Sequence, residues 1–131
     1  AERKDFTLVS MAAGVCIWDI RRKAGEDYPV IRIMPNLPVQ VGEGMILYDY
    51  TDNVDEASLQ AFLKSMQYAG KLDRLPERLI DAGSALSGCG PAFVCLFAES
   101  LADGAVACGL PRQKAIRYGA QMLAGTGISI S

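Results

Sequence analysis

Two short segments carry residue types that could bind a ligand. Ala12, Ala13 and Gly14 follow a β-prone run and have almost no side chain, so a planar or charged ligand could approach their backbone. Tight packing of a strand against a helix is the alternative explanation. Asn36 lies in the segment MPNLP, where its amide could donate to and accept from a carboxamide-like ligand. An Asx turn that satisfies local backbone groups is the alternative there.

A third segment resembles an anion-binding helix N-terminus. Proline favours the first position of a helix, and small or polar residues come before this one. The residues concerned are Ser84, Ser87, Gly88, Gly90 and Pro91. The segment matches neither of the glycine-rich phosphate-binding motifs, and a flexible link between two packed helices is the alternative.

A carboxylate pair lies just before this segment. Glu77 and Asp81 are four residues apart on a predicted helix and could act as an acid–base pair. Arg74 and Arg78 lie close by in the sequence, which favours a solvent-exposed, salt-bridged face instead.

Composition excludes several other kinds of site. The 131-residue chain has no histidine, so no Ser–His or Cys–His dyad and no histidine metal ligand can come from it alone. Cys16, Cys89, Cys95 and Cys108 form no C-x-x-C pair, which argues against a zinc site and favours buried free thiols in a reducing cytoplasm. Thirteen basic against fifteen acidic residues, with no run of like charge, argue against nucleic acid.

Membrane and export signals are also not expected. No apolar run approaches the ~18 residues of a membrane span. The charged residues 1–5 lead into only a short apolar run, which is not the pattern of a signal peptide.

The elements that would position these residues are of two kinds. Up to residue 75, strands and helices alternate: strands at 6–11, 30–34, 45–50 and 71–75, and helices from about residue 15 to Gly25 and at 55–69. The first strand–helix–strand unit predicts a parallel crossover. Asp55 is the expected N-cap of the second helix, which has an apolar stripe: Leu59, Phe62, Leu63 and Met66.

After Pro76 the pattern becomes helical. Helices are expected at 77–86, from Pro91 to Gly109 and from Pro111 to about residue 125, with a flexible turn at 87–90. The middle helix carries an apolar stripe: Phe93, Leu96, Phe97 and Leu101. The fold class is therefore α/β followed by all-α, with a domain boundary between residues 75 and 76.

Taken in order, these segments resemble pyrroline-5-carboxylate reductase. Residues 9–15 resemble the family's VS-x-AAGV element, and residues 30–44 its VIR-x-MPNTP…VGEG signature. Residues 79–93 resemble LMDA…LSGSGPAY, and residues 101–112 resemble LADA…GLPR. The match covers nearly the whole chain. Leu37, Cys89 and Phe93 depart from the family's usual Thr, Ser and Tyr.

The resemblance implies a fold and a reaction. Residues 1–75 would be the late part of a Rossmann-type NAD(P)-binding domain, and residues 76–131 part of a helical dimerisation domain. The reaction would be hydride transfer from NADPH or NADH to the C=N carbon of 1-pyrroline-5-carboxylate, giving L-proline. A cytoplasmic homo-oligomer is implied, with no nucleic-acid or membrane partner.

The resemblance also suggests site residues. The backbones of Ala12, Ala13 and Gly14 would approach the cofactor, with Asn36 near its nicotinamide end and Glu77 at the edge of the site. Residues bordering the substrate cleft would be Ser84, Ser87, Gly88, Gly90 and Pro91.

Two family features do not occur in the sequence. These are a G-x-G-x-x-G turn that holds the pyrophosphate and a PGG-T segment with the catalytic threonine, which would lie beyond Ser131. We therefore expect this chain alone to be inactive, and no catalytic residue is assigned in it. A related NAD(P)-dependent dehydrogenase and a non-catalytic helical dimerisation module are the two alternatives.

Overall fold

The structure is a computed structural model that describes residues 6–25 and 27–131; the charged residues 1–5 lie outside the described part. The regular elements follow in this order: β1 (Leu8–Ser10), α1 (Ile17–Ala24), β2 (Val30–Met34), β3 (Gly44–Tyr50), α2 (Glu56–Met66), β4 (Gly70–Arg74), α3 (Glu77–Ala107) and α4 (Arg112–Ser129). A short 3₁₀ helix at Leu37–Val41 connects β2 to β3.

The strands form one mixed sheet in the order β1-β2-β3-β4. β1 and β2 are parallel, as the strand–helix–strand pattern predicts, and so are β3 and β4. β2 and β3 are antiparallel, since only a short loop and the 3₁₀ helix connect them.

Contacts divide the chain into two compact units, one up to Cys89 and one from Gly90 onward. α3 begins in the first unit and ends in the second. The domain boundary between residues 75 and 76 stays a prediction.

The main hydrophobic core of the first unit lies between the sheet and α2. Ile31, Ile33 and Ile46 are buried on the sheet, against Leu59 and Phe62 of α2. The predicted apolar stripe of α2 is thus confirmed, because all four of its residues belong to this core or pack against it. Burial beside this core also raises the pKa of Tyr48, the sheet residue whose ring lies 5.7 Å from the Phe62 ring.

The predicted N-cap of α2 is confirmed as well. An Asp55 carboxylate oxygen accepts a hydrogen bond from Ser58 N at 2.9 Å, and the other accepts one from the Ser58 hydroxyl. Both bonds stabilise the ionised form and lower the pKa of Asp55. The helix ends at Met66, three residues earlier than predicted.

The first turns of α3 lie against the opposite face of the sheet. Side chains alternate between the two faces of a strand, so Leu47 and Asp49 share the face that Ile46 does not. A Cβ at Gly83 of α3 would lie only 2.6 Å from Leu47 Cδ1, and Ile80 is fully buried. The sheet is thus covered on both faces, by α2 and by the start of α3.

The predicted turn at residues 87–90 is wrong. These residues lie within α3, a continuous helix of 31 residues that also contains Pro91. The expected helix N-terminus at Pro91 therefore does not exist. Glycine and serine weaken a helix without forbidding it, and Ser87 Oγ bonds back to Gly83 O at 3.1 Å. α4 also extends beyond its predicted end, to Ser129.

The continuity of α3 changes the membrane expectation too. In the described part of the chain, one helix is long and apolar enough to cross a membrane by length and composition, namely α3. The sequence pattern predicts two shorter helices here, and the expectation of no membrane partner stays a prediction. Core helices of soluble proteins pass the same test.

The second unit packs α3 against α4 through small residues. Ala102 and Ala115 are buried, and a Cβ at Gly119 would lie 3.8 Å from Ala98 O. Large apolar side chains remain exposed on α3 instead, and they include the whole predicted stripe: Phe93, Leu96, Phe97 and Leu101. This unit therefore presents an apolar surface that its own helices do not cover.

Gly70 provides a test of the sheet geometry. Gly70 has φ +142° and pairs with Gly44, whose backbone a Cβ on Gly70 would strike. Gly109 is the matched control, because its φ is +94° and, in the described part of the chain, nothing beyond its two chain neighbours lies within 4 Å of a Cβ there. We expect Gly109→Ala to lower the free energy of unfolding by about 1–2 kcal/mol and Gly70→Ala by about 3 kcal/mol or more. Urea denaturation measures both, and equal losses would contradict the close approach of β3 and β4.

Candidate functional site

Two of the sequence-predicted ligand segments lie at the same edge of the sheet. β1 and β2 are parallel neighbours with Ser10 opposite Arg32, so the chain leaves both strands at one edge. Ala12, Ala13 and Gly14 follow β1, and Asn36 follows β2. We call residues 11–16 and 35–38 the carboxyl edge. Ligands of open α/β sheets bind outside the carboxyl ends of such strands.

The segment after β1 is an exposed turn. Val15 N donates to Ala12 O at 3.4 Å, and Gly14 has φ +71°, which explains the need for glycine at this position. Apart from Gly14 and its two chain neighbours, no residue that the structure describes has an atom within 4 Å of a Cβ built on Gly14. The backbone of this turn is therefore open to a ligand, and a role in cofactor binding stays a prediction.

Glu77 is held by two different elements beside the carboxyl edge. Its Oε1 accepts a hydrogen bond from Ile17 N, at the start of α1, at 2.5 Å. The same oxygen accepts one from Arg32 Nη1, on β2, at 3.2 Å. Glu77 thus joins the sheet, α1 and α3, and its predicted place at the edge of a cofactor site is neither tested nor opposed by this geometry.

Arg32 is the buried charge on which this arrangement depends. Its side chain is only 4% exposed, and Nη2 donates to Asp81 Oδ1 at 2.9 Å. Glu77 and Asp81 lie four residues apart on one face of α3, so the planar guanidinium can reach both carboxylates. The predicted salt-bridged face exists, but the predicted partners are wrong: Arg32 of β2 takes the place of Arg74 and Arg78.

Asp49 supports the same junction from β3. Its Oδ2 accepts a hydrogen bond from Glu77 N at 2.8 Å and so caps the first turn of α3. Its Oδ1 accepts one from Arg74 Nε at 3.3 Å, and Arg74 also lies over the Tyr50 ring. Arg32 and Asp49 are not among the residues that the sequence pattern predicts for the site. The available signal was an arginine in the middle of the otherwise apolar strand VIRIM.

Asn36 bridges three elements. Its Oδ1 accepts a hydrogen bond from Met45 N at 2.8 Å, and its Nδ2 donates to Ser87 O at 2.9 Å. The amide is therefore neither in an Asx turn nor free of protein partners. One hydrogen and one lone pair remain, so a contact with the nicotinamide stays a prediction.

The residues predicted to border a substrate cleft all lie within α3. Ser84 and Ser87 are half-buried on its first-unit part, and Gly88 is exposed. Gly90 and Pro91 belong to the part of α3 in the second unit. Of this group, the structure brings Ser87 to Asn36 and therefore to the carboxyl edge; the role of the group stays a prediction.

The cysteines differ from the expectation of buried thiols. Cys89, Cys95 and Cys108 are exposed and Cys16 is half-buried, all unpaired. Three of them lie on α3 or just after it, where the apolar surface is uncovered. Within residues 6–25 and 27–131, no group of three or more acidic or cysteine side chains is placed to hold a metal ion.

The fold and this edge define a class: an α/β sheet of dinucleotide-binding type followed by apolar helices. Comparison with known proteins gives the family. Residues 77–130 match the family model described as pyrroline-5-carboxylate reductase dimerisation. Pyrroline-5-carboxylate reductase 3 of Danio rerio is 41% identical over 125 residues, which are 95% of this chain and 43% of that protein. The reductase of Synechocystis is 39% identical over 119 residues, or 91% of this chain and 44% of that one.

Solved structures agree with the sequence matches. The Plasmodium falciparum pyrroline carboxylate reductase, solved with NADP bound, superposes with a TM-score of 0.86 at 31% identity, over 95% of this chain and 49% of that chain. The chain belongs to the pyrroline-5-carboxylate reductase family, as a portion of the family's sequence, and the Rossmann-type fold with following helices is confirmed. It spans less than half the length of the curated relatives it matches.

Removal of the Arg32 guanidinium tests the junction. Arg32→Met leaves Glu77 without its buried partner, and we expect a loss of about 3 kcal/mol in the free energy of unfolding. Arg74→Met is the control, because that exposed ion pair contributes about 1 kcal/mol or less. Urea unfolding followed by Trp18 fluorescence reports on the first unit. A loss for Arg32→Met no larger than for Arg74→Met would show that the ion pairs of Arg32 with Glu77 and Asp81 do not hold α3 on the sheet.

Proposed function

We propose that the whole protein is a pyrroline-5-carboxylate reductase of proline synthesis. It would transfer a hydride from NADPH or NADH to the C=N carbon of 1-pyrroline-5-carboxylate and so produce L-proline. The observation that carries the proposal is the match to such reductases along more than nine-tenths of the chain. The open turn at the carboxyl edge supports it from the structure.

The residues of this chain fit the part of such a site that receives the cofactor. NAD(P)H, when bound, supplies the hydride. The exposed backbone at Ala12, Ala13 and Gly14 leaves room for a close approach, since no described residue beyond the chain neighbours of Gly14 comes within 4 Å of a Cβ built there. Asn36 would lie near the nicotinamide end and support the site through its two hydrogen bonds to the protein. Glu77 would border the site from α3.

The chain's own groups would position rather than catalyse. The imine nitrogen must gain a proton or a hydrogen bond as its charge changes, and none of the residues placed at the carboxyl edge is assigned that role. Ser84 and Ser87 would border the substrate. The protein would work by fixing distances between two bound molecules, which is a large part of what lowers a hydride-transfer barrier.

The helical unit would serve association with a second copy of the protein. Its apolar stripe on α3 is exposed: Phe93 by 70% and Phe97 by 54%, for example. An exposed apolar surface of this kind marks an interface, and the dimerisation family model covers the same residues. We further propose a cytoplasmic location and a homo-oligomer.

The reductase proposal is tested with the product of the whole reading frame that contains these residues. We expect oxidation of NADPH or NADH that depends on 1-pyrroline-5-carboxylate, with L-proline as the product. The 131-residue chain is the matched control and should give no turnover, because it has no pyrophosphate-binding turn and no PGG-T segment. A folded product that binds the cofactor without reducing the imine would favour another dehydrogenase. Association without cofactor affinity would favour a dimerisation module.

The oligomer proposal is tested by one charge on the stripe. Phe93→Asp places a carboxylate in the proposed interface, and we expect at least a ~10-fold weaker self-association. Gln113→Asp adds the same charge at an exposed position of α4 outside the stripe and should leave association unchanged. Sedimentation velocity over a concentration series measures both. Equal association of the Phe93→Asp and parent proteins would mean that the stripe is not the interface.

A further inference from the structure

We infer that Asn36 is a positioning residue that supplies the hydrogen bond Pro91 cannot give to α3. This inference rests on the proposed function for its role in the reaction. We call the two hydrogen bonds of Asn36, from Met45 N and to Ser87 O, the Asn36 bridge; they do not depend on the proposed function. Asn36 would act through the Ser87 carbonyl, and so hold one turn of α3 beside the carboxyl edge.

Pro91 interrupts the regular hydrogen bonding of α3. In an α-helix, the carbonyl of residue i accepts from the N–H of residue i+4. The donor for Ser87 O would be residue 91, which is proline and has no N–H. Proline within a helix therefore leaves the Ser87 carbonyl without its helical partner.

The side chain of Asn36 takes that partner's place. Its Nδ2 donates to Ser87 O at 2.9 Å, a good distance for such a bond. The bond joins residues 51 positions apart in the sequence, so the donor comes from outside the helix. Because the Asn36 amide replaces the missing backbone donor, the Ser87 carbonyl stays hydrogen-bonded where α3 passes through Pro91 and the sequence pattern predicts a break.

The other end of the same amide is fixed to the sheet. Oδ1 of Asn36 accepts from Met45 N at 2.8 Å, at the beginning of β3. The backbone at Asn36 is extended and leads directly into the 3₁₀ helix at Leu37–Val41. The planar amide of Asn36 is thus hydrogen-bonded to β3 on one side and to α3 on the other. Because both sides are held, it fixes the distance between β3 and this turn of α3.

The consequence concerns Ser84 and Ser87, which are proposed to border the substrate. Ser84 Oγ lies 3.3 Å from the place where a Gly88 Cβ would stand, so this turn of α3 is compact. Loss of the Asn36 donor would free the Ser87 carbonyl and let this turn shift relative to the carboxyl edge. A displacement of about 1 Å can lower a reaction rate about 100-fold.

A double-mutant cycle separates this role from a direct contact with the cofactor. Asn36→Asp keeps the acceptor for Met45 N and replaces the donor with an oxygen. Pro91→Ala restores a backbone N–H that can donate to Ser87 O. In the product of the whole reading frame, we expect Asn36→Asp to lower kcat by about 10- to 100-fold, with a change in the KM for NADPH of about threefold or less. In the Pro91→Ala background, the same change should lower kcat by about threefold or less, whatever Pro91→Ala does alone.

A direct role in cofactor binding predicts the opposite pattern. The KM for NADPH would rise, and the loss caused by Asn36→Asp would be the same in both backgrounds. That result would overturn the inference. Should Asn36→Asp fail to fold, recovery of folded protein by Pro91→Ala in the double variant supports the bridge, and no recovery overturns it.

A spectroscopic measurement makes the outcome independent of the reductase activity. In the 131-residue chain labelled with ¹³C at the Ser87 carbonyl, Asn36→Asp should move that resonance toward the value of an unbonded carbonyl. The shift should be smaller when residue 91 is alanine. Coupling in this measurement together with an inactive whole protein would overturn the proposed function and leave the bridge standing. An active protein with no coupling would overturn the inference alone.

Discussion

A single buried cation, Arg32, determines how the first unit is assembled. It lies at the centre of β2, almost without solvent, and its guanidinium reaches two carboxylates of α3. A charge in that position is tolerated only when it is paired and hydrogen-bonded. The start of α3 must therefore lie over β2, and the carboxylate of Glu77 then also receives the first N–H of α1. Asp49 completes the junction by capping α3 from the neighbouring strand.

The same contacts of Arg32, Glu77 and Asp49 also fix the position of the carboxyl edge. α1 begins directly after the turn of Ala12, Ala13 and Gly14, so the bond from Ile17 N to Glu77 fixes where that turn lies. Asn36 fixes the second segment of the edge in the same manner, from the other side of β2. Each of the two segments of the carboxyl edge is thus tied to α3 by one side chain. Rigid support of this kind is what a site needs to hold two reactants at a defined distance.

Much of this fold could be predicted from local sequence patterns. α2 shows its apolar stripe and its Asp55 cap in the sequence, and the parallel pairing of β1 and β2 follows from the helix between them. These features depend on residues within one element or on neighbouring elements, which is why periodicity and capping rules reveal them.

Features that depend on distant residues could not be predicted in this way. Within the continuous α3, the Ser87 carbonyl accepts its hydrogen bond from Asn36, 51 residues away, whereas the local pattern of glycine, serine and proline favours a turn. The pairing of Glu77 with Arg32 rather than Arg74 depends on a contact between β2 and α3, which lie 45 residues apart in the sequence at this point. At the candidate site, the turn after β1 and the position of Asn36 could be predicted. The bonds that hold them could not.

A chimeric enzyme tests most directly whether this chain forms part of a working pyrroline-5-carboxylate reductase. The 119 matched residues of this chain would replace the corresponding segment of the Synechocystis reductase, which is 39% identical over them and would supply the remaining segments. The measured quantity is the rate of imine-dependent NADPH oxidation with L-proline as product. We expect the chimera to turn over 1-pyrroline-5-carboxylate, and to lose this activity when Arg32 is replaced by Met. A folded, dimeric chimera that binds NADPH but does not reduce the imine would contradict the account.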